Sequence, residues 1–333
     1  MFAAYRNIDA VASIYGLQDL QTRPNDHTAA AMKRNLQTSC LALLLLSGIA
    51  QAQEIEPRTY SNAPIGVNFL VVGAGYSEGG ISFDSAVPLT KAQMKIDLAA
   101  VAYARVLDIG GQSAKFDLIV PYASLNGTAE YIGQAVTRDV SGFGDPKLRL
   151  SMNFYGAPAL TLDKYANYRH DLIIGASLQV SVPVGQYDRD RLVNIGTNRW
   201  YVKPEFGISK GWGPWTLEAT TSATFFGDND DFFGGKRREQ EPIYTFQGHL
   251  VYGFSSGVWC ALTAAHLIGG RTTLDGVHGN DLQQSSRVGA TLALPVDRQN
   301  SIKIYASSGV YMRTGSDFDT IGVAWQYRWG GGL

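Results

Sequence analysis

The chain has 333 residues, a formal net charge of −1 at pH 7 and no run of like charge, so electrostatics gives no support to a nucleic-acid partner. Charged residues make up only 17%, against about 25% in ordinary soluble domains. Gly (37), Tyr (17) and Trp (6) are abundant while mean hydropathy is only −0.07, a composition that suits a membrane β-barrel.

Taken in chain order, the first feature is the apolar run LALLLLSGIA (41–50), preceded by MKRN from Met32 and followed by QAQE. A basic stretch, a short apolar core and a small-x-small site make a secretory signal, too short to cross a bilayer as a helix. Cleavage is expected after Ala52. Because such a signal normally opens a protein, Met32 is read as the start, residues 1–31 as an upstream extension, 32–52 as the signal peptide and 53–65 as a short N-terminal segment. Cys40 falls inside the signal, and Cys260 stands alone in the mature chain, so no internal disulfide is expected.

From Gly66 onward no segment has helical periodicity; extended segments recur between Gly, Pro, Asn and Asp clusters. The expected strands are 66–76, 95–109, 112–123, 143–155, 168–184, 198–211, 214–226, 241–255, 257–268, 283–296, 300–313 and 317–329. Short turns near 108–111, 211–214, 255–257 and 297–300 alternate with longer connections at 77–94, 124–142, 185–197, 227–240 and 269–282. That alternation matches short periplasmic turns and long external loops, with 156–167 an unexpectedly long turn on the periplasmic side.

Within strands the two faces separate. In DPKLRLSMNF (145–154), Lys147, Arg149, Ser151 and Asn153 alternate with Leu148, Leu150, Met152 and Phe154, which in an extended chain puts the sets on opposite sides. The apolar side is expected to meet lipid and the polar side to line a lumen. Trp200, Trp212, Trp215, Trp259, Trp325, Tyr327 and Trp329 near strand ends fit interfacial girdles. The fold class is thus all-β: one transmembrane antiparallel up-and-down barrel of about twelve strands over 66–333, after a cleaved signal.

The candidate selectivity residues are the charged and polar groups expected to point inward: Asp117, Lys147, Arg149, Lys203, Glu205, Glu218, His249, Arg287, Lys303 and Arg313. In a narrow barrel, opposing acids and bases either steer a solute or pair as a structural filling. The loop motifs GFGDP (Gly142, Gly144, Asp145, Pro146) and PVGQYD (Pro183, Gly185) carry turn chemistry at strand ends. In GDNDDFFGGKRREQEP (227–242), Asp228 and Asn229 begin a charged loop without regular calcium-ligand spacing, so a solvated loop is the first expectation, internal pairing or contact with lipopolysaccharide the second, and no metal is assigned. No nucleophile elbow, zinc helix motif or Walker loop occurs; GAGYSEGG (73–80) leaves a strand without a following helix.

The stretches SGFGDPKLRLSMNFYG (141–156), QVSVPVGQYD (179–188), NRWYVKPEFGISKG (198–211), FFGDNDDFFGGKRREQEPIYTFQGHLVYGF (225–254) and GVWCALTAAHLIGG (257–270) resemble a family of bacterial outer-membrane transporter-like proteins linked to the meta-cleavage pathway of phenol degradation. The resemblance covers roughly Pro64 to Trp329 and departs from outer-membrane custom at the end, where Trp329 is followed by GGGL. It implies a Gram-negative outer-membrane barrel that takes up small aromatic or hydrophobic solutes, in contact with membrane lipid, lipopolysaccharide and the barrel-assembly machinery, without a cofactor. A structural or surface-binding barrel with a plugged lumen is the alternative. A hydrolase would need a nucleophile with an adjacent base, which the sequence does not present.

Overall fold

The computed structural model describes residues 56–82, 89–131 and 133–333. The upstream extension, the signal peptide with Cys40 and its cleavage site lie outside the described residues. The strands are β1 (Val67–Ser82), β2 (Leu89–Ile109), β3 (Gln112–Tyr131), β4 (Gln134–Phe143), β5 (Lys147–Tyr155), β6 (Leu172–Ser181), β7 (Tyr201–Trp212), β8 (Trp215–Phe226), β9 (Asn229–Phe232), β10 (Lys236–Gln240), β11 (Ile243–Gly253), β12 (Trp259–Gly269), β13 (Thr272–Leu274), β14 (Val277–His278), β15 (Gln283–Pro295), β16 (Asn300–Ser316) and β17 (Asp319–Gly330), with one short helix α1 (Leu162–Tyr165).

Neighbouring strands pair antiparallel, and β17 returns to β1 in register from Val67↔Gly330 to Glu78↔Asp319. The wall therefore closes. β4 and β5 share one place in it, because β3 pairs with β5 through Ala114–Ile119 and with β4 through Tyr122–Tyr131. The result is a closed twelve-stranded barrel, with a separate sheet β14-β13-β10-β9 in the connections at one end.

The sides of the wall invert the soluble pattern. Along β11, Thr245, Gln247 and His249 are buried while Tyr244, Phe246 and Leu250 are exposed. On β5, Ser151 is 2% exposed and Leu150 46%. The apolar exterior belongs in hydrocarbon and the polar interior is covered by other protein.

Strand length explains the upper half. About 9–11 residues suffice to cross, and β6 has 10, but β2 and β3 have 21 and 20. Their outer halves stand above the membrane. There they bury Met94, Ile96 and Leu125 against Val193 and Ile195 of the 182–200 loop and Phe318, a soluble-type core on top of a membrane wall.

Several expectations are corrected here. Most of 77–94 and 124–142, expected as loops, is strand within β1–β4, and the charged loops 227–240 and 269–282 contain β9, β10, β13 and β14. Above the bilayer the alternation of β2 has the opposite sense to the lipid pattern, with Ala92, Met94 and Ile96 buried and Gln93 and Lys95 exposed, because the outer face there meets water. Trp259, expected in a lipid-facing girdle, points inward with Ala261 and Thr263 and lies under the Arg58 guanidinium at 5.3 Å. Trp325, Tyr327 and Trp329 stack with centroids 6.1 and 5.5 Å apart.

The exposed position of Leu150 makes a test. Leu150→Arg near the midplane should cost about 2–4 kcal/mol of barrel stability, read as a lower urea midpoint for refolding into lipid vesicles; Leu150→Ile should leave it unchanged.

Candidate functional site in the barrel lumen

The residues before β1 run into the lumen from the end that carries the short turns. Thr59, Tyr60 and Asn62 are buried there. The long turn 156–171, anomalous for that side, receives the segment: Ile65 N donates to Leu160 O at 2.9 Å, Asn62 Nδ2 to Pro158 O at 3.1 Å, and Tyr165 Oη to Asn62 O at 2.9 Å. Its length serves the segment rather than the membrane.

Deeper in, the wall grips the segment by its backbone and charges. Arg58 N donates to Glu218 Oε2 at 2.6 Å, Asn153 Nδ2 to Tyr60 O at 3.1 Å, and Lys115 Nζ to Thr59 O. Tyr60 Oη donates to Glu205 Oε1 at 3.0 Å, and Arg149 Nη2 pairs with Glu56 Oε2 at 3.2 Å. The ring of Tyr60 lies on Gly175 and Gly207, which face each other across β6 and β7. A Cβ on Gly207 would come within 2.2 Å of that ring, and one on Gly175 within 2.6 Å.

Most predicted inward residues gather around this segment. Asp117 and Arg149 sit directly opposite each other and bond at 2.9 Å, and Glu218 and His249 occupy opposed positions at one level of the wall. His249 Nδ1 lies 2.8 Å from Thr263 Oγ1, and Lys203 Nζ lies 4.0 Å from Glu205. Arg287 is buried on the inner face with Ser307 at 3.5 Å, and Lys303 sits at the lower mouth over Trp259 at 5.9 Å. Arg313 is the correction: it is exposed, because the pairing of β15 with β16 shifts register at Val310 and again at Arg313 itself, which breaks the alternation. Sequence reasoning missed Tyr60 and Lys115. Lys115 shares the parity of Asp117, and paired inward glycines mark the docking of a ring.

Ser209, His170 and Glu218 also converge, with Ser209 Oγ 3.2 Å from His170 Nε2 and 3.1 Å from Glu218 Oε1. The order is wrong for nucleophilic catalysis, since the acid bonds to the serine instead of orienting the histidine. Ser209 is also fully buried. Among the described residues no group of three or more His, Cys, Asp or Glu side chains is arranged to hold a metal ion.

Above the segment lies a cavity of about 150 Å3. Ile96, Leu98, Leu125, Ile195 and Phe318 line one side, and Gln179, Ser181, Tyr201, Thr224 and Thr245 the other. Lys203 and Gln247 border both this cavity and a much tighter polar space beside Glu56, Arg149 and His249. They stand at a threshold.

The two loop motifs, far apart in sequence, meet at the cavity rim. Asp145 Oδ1 accepts from Gly185 N at 2.9 Å, and its Oδ2 accepts from Thr197 N and Oγ1, both at 2.7 Å. Val182 N donates to Pro146 O at 2.9 Å and Gln186 N to Phe143 O at 2.7 Å. Gly185 is required by contact: a Cβ there would meet the Gly144 carbonyl carbon at 2.7 Å. This latch folds the 182–200 loop over the lumen. Asn229 carries it on to the outer sheet, donating to Tyr187 Oη at 2.9 Å and accepting from Asn198 Nδ2 at 3.0 Å. Asp228 pairs with Arg237, so the charged loop neutralises itself. Arg199 is buried over the Phe226 ring at 4.4 Å, and burial holds its guanidinium well below the usual range.

A closed wall with an apolar exterior, a polar lumen and short turns at one end defines a transmembrane β-barrel of the outer-membrane type. The chain belongs to the family described as "Putative MetA-pathway of phenol degradation", whose model matches residues 76–325. Among solved structures it is similar to an outer membrane channel from Pseudomonas putida F1, with a TM-score of 0.71 and 20% identity over 83% of this chain and 100% of that one. It is also similar to the transport unit of the autotransporter AIDA-I from Escherichia coli, with a TM-score of 0.47 and 10% identity over 92% of this chain and 99% of that one. Sequence comparison with curated proteins gives no match.

Removing the latch carboxylate in Asp145→Ala orphans three donors, each costing about 1–3 kcal/mol if left unmet. The expected outcome is faster tryptic cleavage at Arg189 and Arg191 in the loop, with heat-modifiable mobility of the barrel retained.

Proposed function

We propose that the protein is a passive outer-membrane channel for small aromatic or hydrophobic solutes, in which the segment Glu56–Gly66 is a displaceable inner gate. The observation that carries this reading is the apolar-sided cavity placed directly over a charged threshold, where the obstruction below is held largely by hydrogen bonds and ion pairs, with the Tyr60 ring as its one apolar anchor among the described residues. A cavity of this volume suits a single ring: an engineered void of about 150 Å3 lined by Leu, Ile and Phe accepts benzene. The family's link to phenol degradation supports the same solute class.

In this reading the charges act by position and not by covalent chemistry. The solute enters past the latched loop, rests against Ile96, Leu125 and Phe318, and passes Lys203 when the segment yields. Asp117 with Arg149, and Lys203 with Glu205, keep the passage polar and balanced, so that only a solute able to exchange hydrogen bonds with them moves through. Lipid surrounds the wall, lipopolysaccharide meets the charged outer sheet, and the barrel-assembly machinery inserts the chain.

Single-channel recording of the full-length protein purified from outer membranes tests the proposal. The wild type should give small discrete openings blocked by phenol. Deleting residues 56–62, or Gly207→Leu, which displaces the Tyr60 ring, should raise conductance several-fold. A folded barrel that stays silent with and without the segment would favour the plugged structural reading, for which the many wall-to-segment bonds speak.

A further inference from the structure

The cavity is asymmetric in charge as well as in polarity. Its charged lining consists of Asp145, Lys147 and Lys203. The Asp145 carboxylate accepts three hydrogen bonds inside the latch, on both of its oxygens, and so offers the cavity little. The nearest acid to Lys203 is Glu205 at 4.0 Å, whose Oε1 already accepts from Tyr60. The carboxylate oxygens of Asp145 are thus turned into the latch, while Lys203 lines the space.

A second, independent feature lies on the same wall. Ser181 is 1% exposed, lines the cavity, and its Oγ has no hydrogen-bond partner among the described residues. A buried hydroxyl left unpaired is costly and calls for an explanation. Ser181 sits directly opposite Lys147 on β5 and Tyr201 on β7, and Gln179, two residues before it, sits opposite Lys203. One patch of β6 and β7 thus brings the Lys203 ammonium and an unsatisfied hydroxyl together in a cavity also lined by the apolar Ile96 and Phe318.

We propose that this cavity is a binding site for single-ring aromatic monocarboxylates, the ring against Ile96, Leu98 and Phe318 and the carboxylate between Lys203 and Ser181. The proposal rests on the channel reading for its role in uptake, but binding itself is independent of it. A carboxylate accepts from an ammonium and a hydroxyl together, and a charge-assisted hydrogen bond is about twice as strong as a neutral one. A neutral phenol makes only the weaker set, and an aromatic amine meets like charge.

The test is titration calorimetry of the full-length detergent-solubilised protein with benzoate, phenol and benzylamine, alongside block of single-channel current by the same compounds. Benzoate should bind more tightly than phenol, and benzylamine not at all. Lys203→Gln should weaken benzoate binding by about tenfold, about 1.4 kcal/mol, Lys203→Arg should restore most of it, and Ser181→Ala should weaken it less; heat-modifiable mobility verifies that each variant folds. Benzoate binding to a barrel that conducts nothing would sink the channel reading and leave this site standing. Phenol binding as tightly as benzoate, or Lys203→Gln leaving benzoate untouched, would overturn the site while leaving a channel for neutral aromatics. Absence of binding by all three would overturn it as well.

Discussion

Everything else in this molecule depends on the pairing of its backbone in a solvent that offers no hydrogen bonds. Within hydrocarbon each unmet N–H or C=O costs several kcal/mol, so the sheet has no permissible edge. The register of β17 on β1 removes it. Once the wall is closed, the alternation of every strand assigns side chains to lipid or lumen. Leu150 then faces outward and Arg149 inward as a consequence of period two alone.

The closed wall encloses more space than its own side chains fill. The chain fills the lower part with its own residues 56–66 and satisfies them from the wall. Charges that look like a selectivity ring when counted along strands are therefore engaged twice, with one another and with the segment. Arg149 reaches both Asp117 and Glu56. The bonds that hold the segment are ones that water or a solute can exchange with, which is what the proposed gate requires.

Above the membrane the rules revert to those of a soluble protein. The tall β2–β3 pair, the 182–200 loop and Phe318 form an ordinary apolar core, and Asp145 pins the loop where that core meets the lumen. The cavity exists at this junction. Its apolar side comes from the soluble-type core and its polar side from the membrane barrel's lumen, which explains why one small space carries two opposite chemistries.

The amino-acid sequence by itself determined the all-β class, the antiparallel wall and the side each strand residue takes, because these follow from local alternation and turn chemistry. Lys147, Arg149, Lys203, Glu205, Glu218 and His249 could be placed inward on that basis. It failed at Arg313, where the register of β15 on β16 shifts, at Trp259, whose strand-end position suggested a girdle although its parity is inward, and in the polar loops that build the outer sheet. Only the tertiary structure decided that Tyr60 enters the lumen to rest on Gly175 and Gly207, and that Asp145 meets Gly185 and Thr197. These contacts join residues 40 to 147 positions apart. No local period records them, since they arise when a closed wall brings distant chain into a space that must be filled.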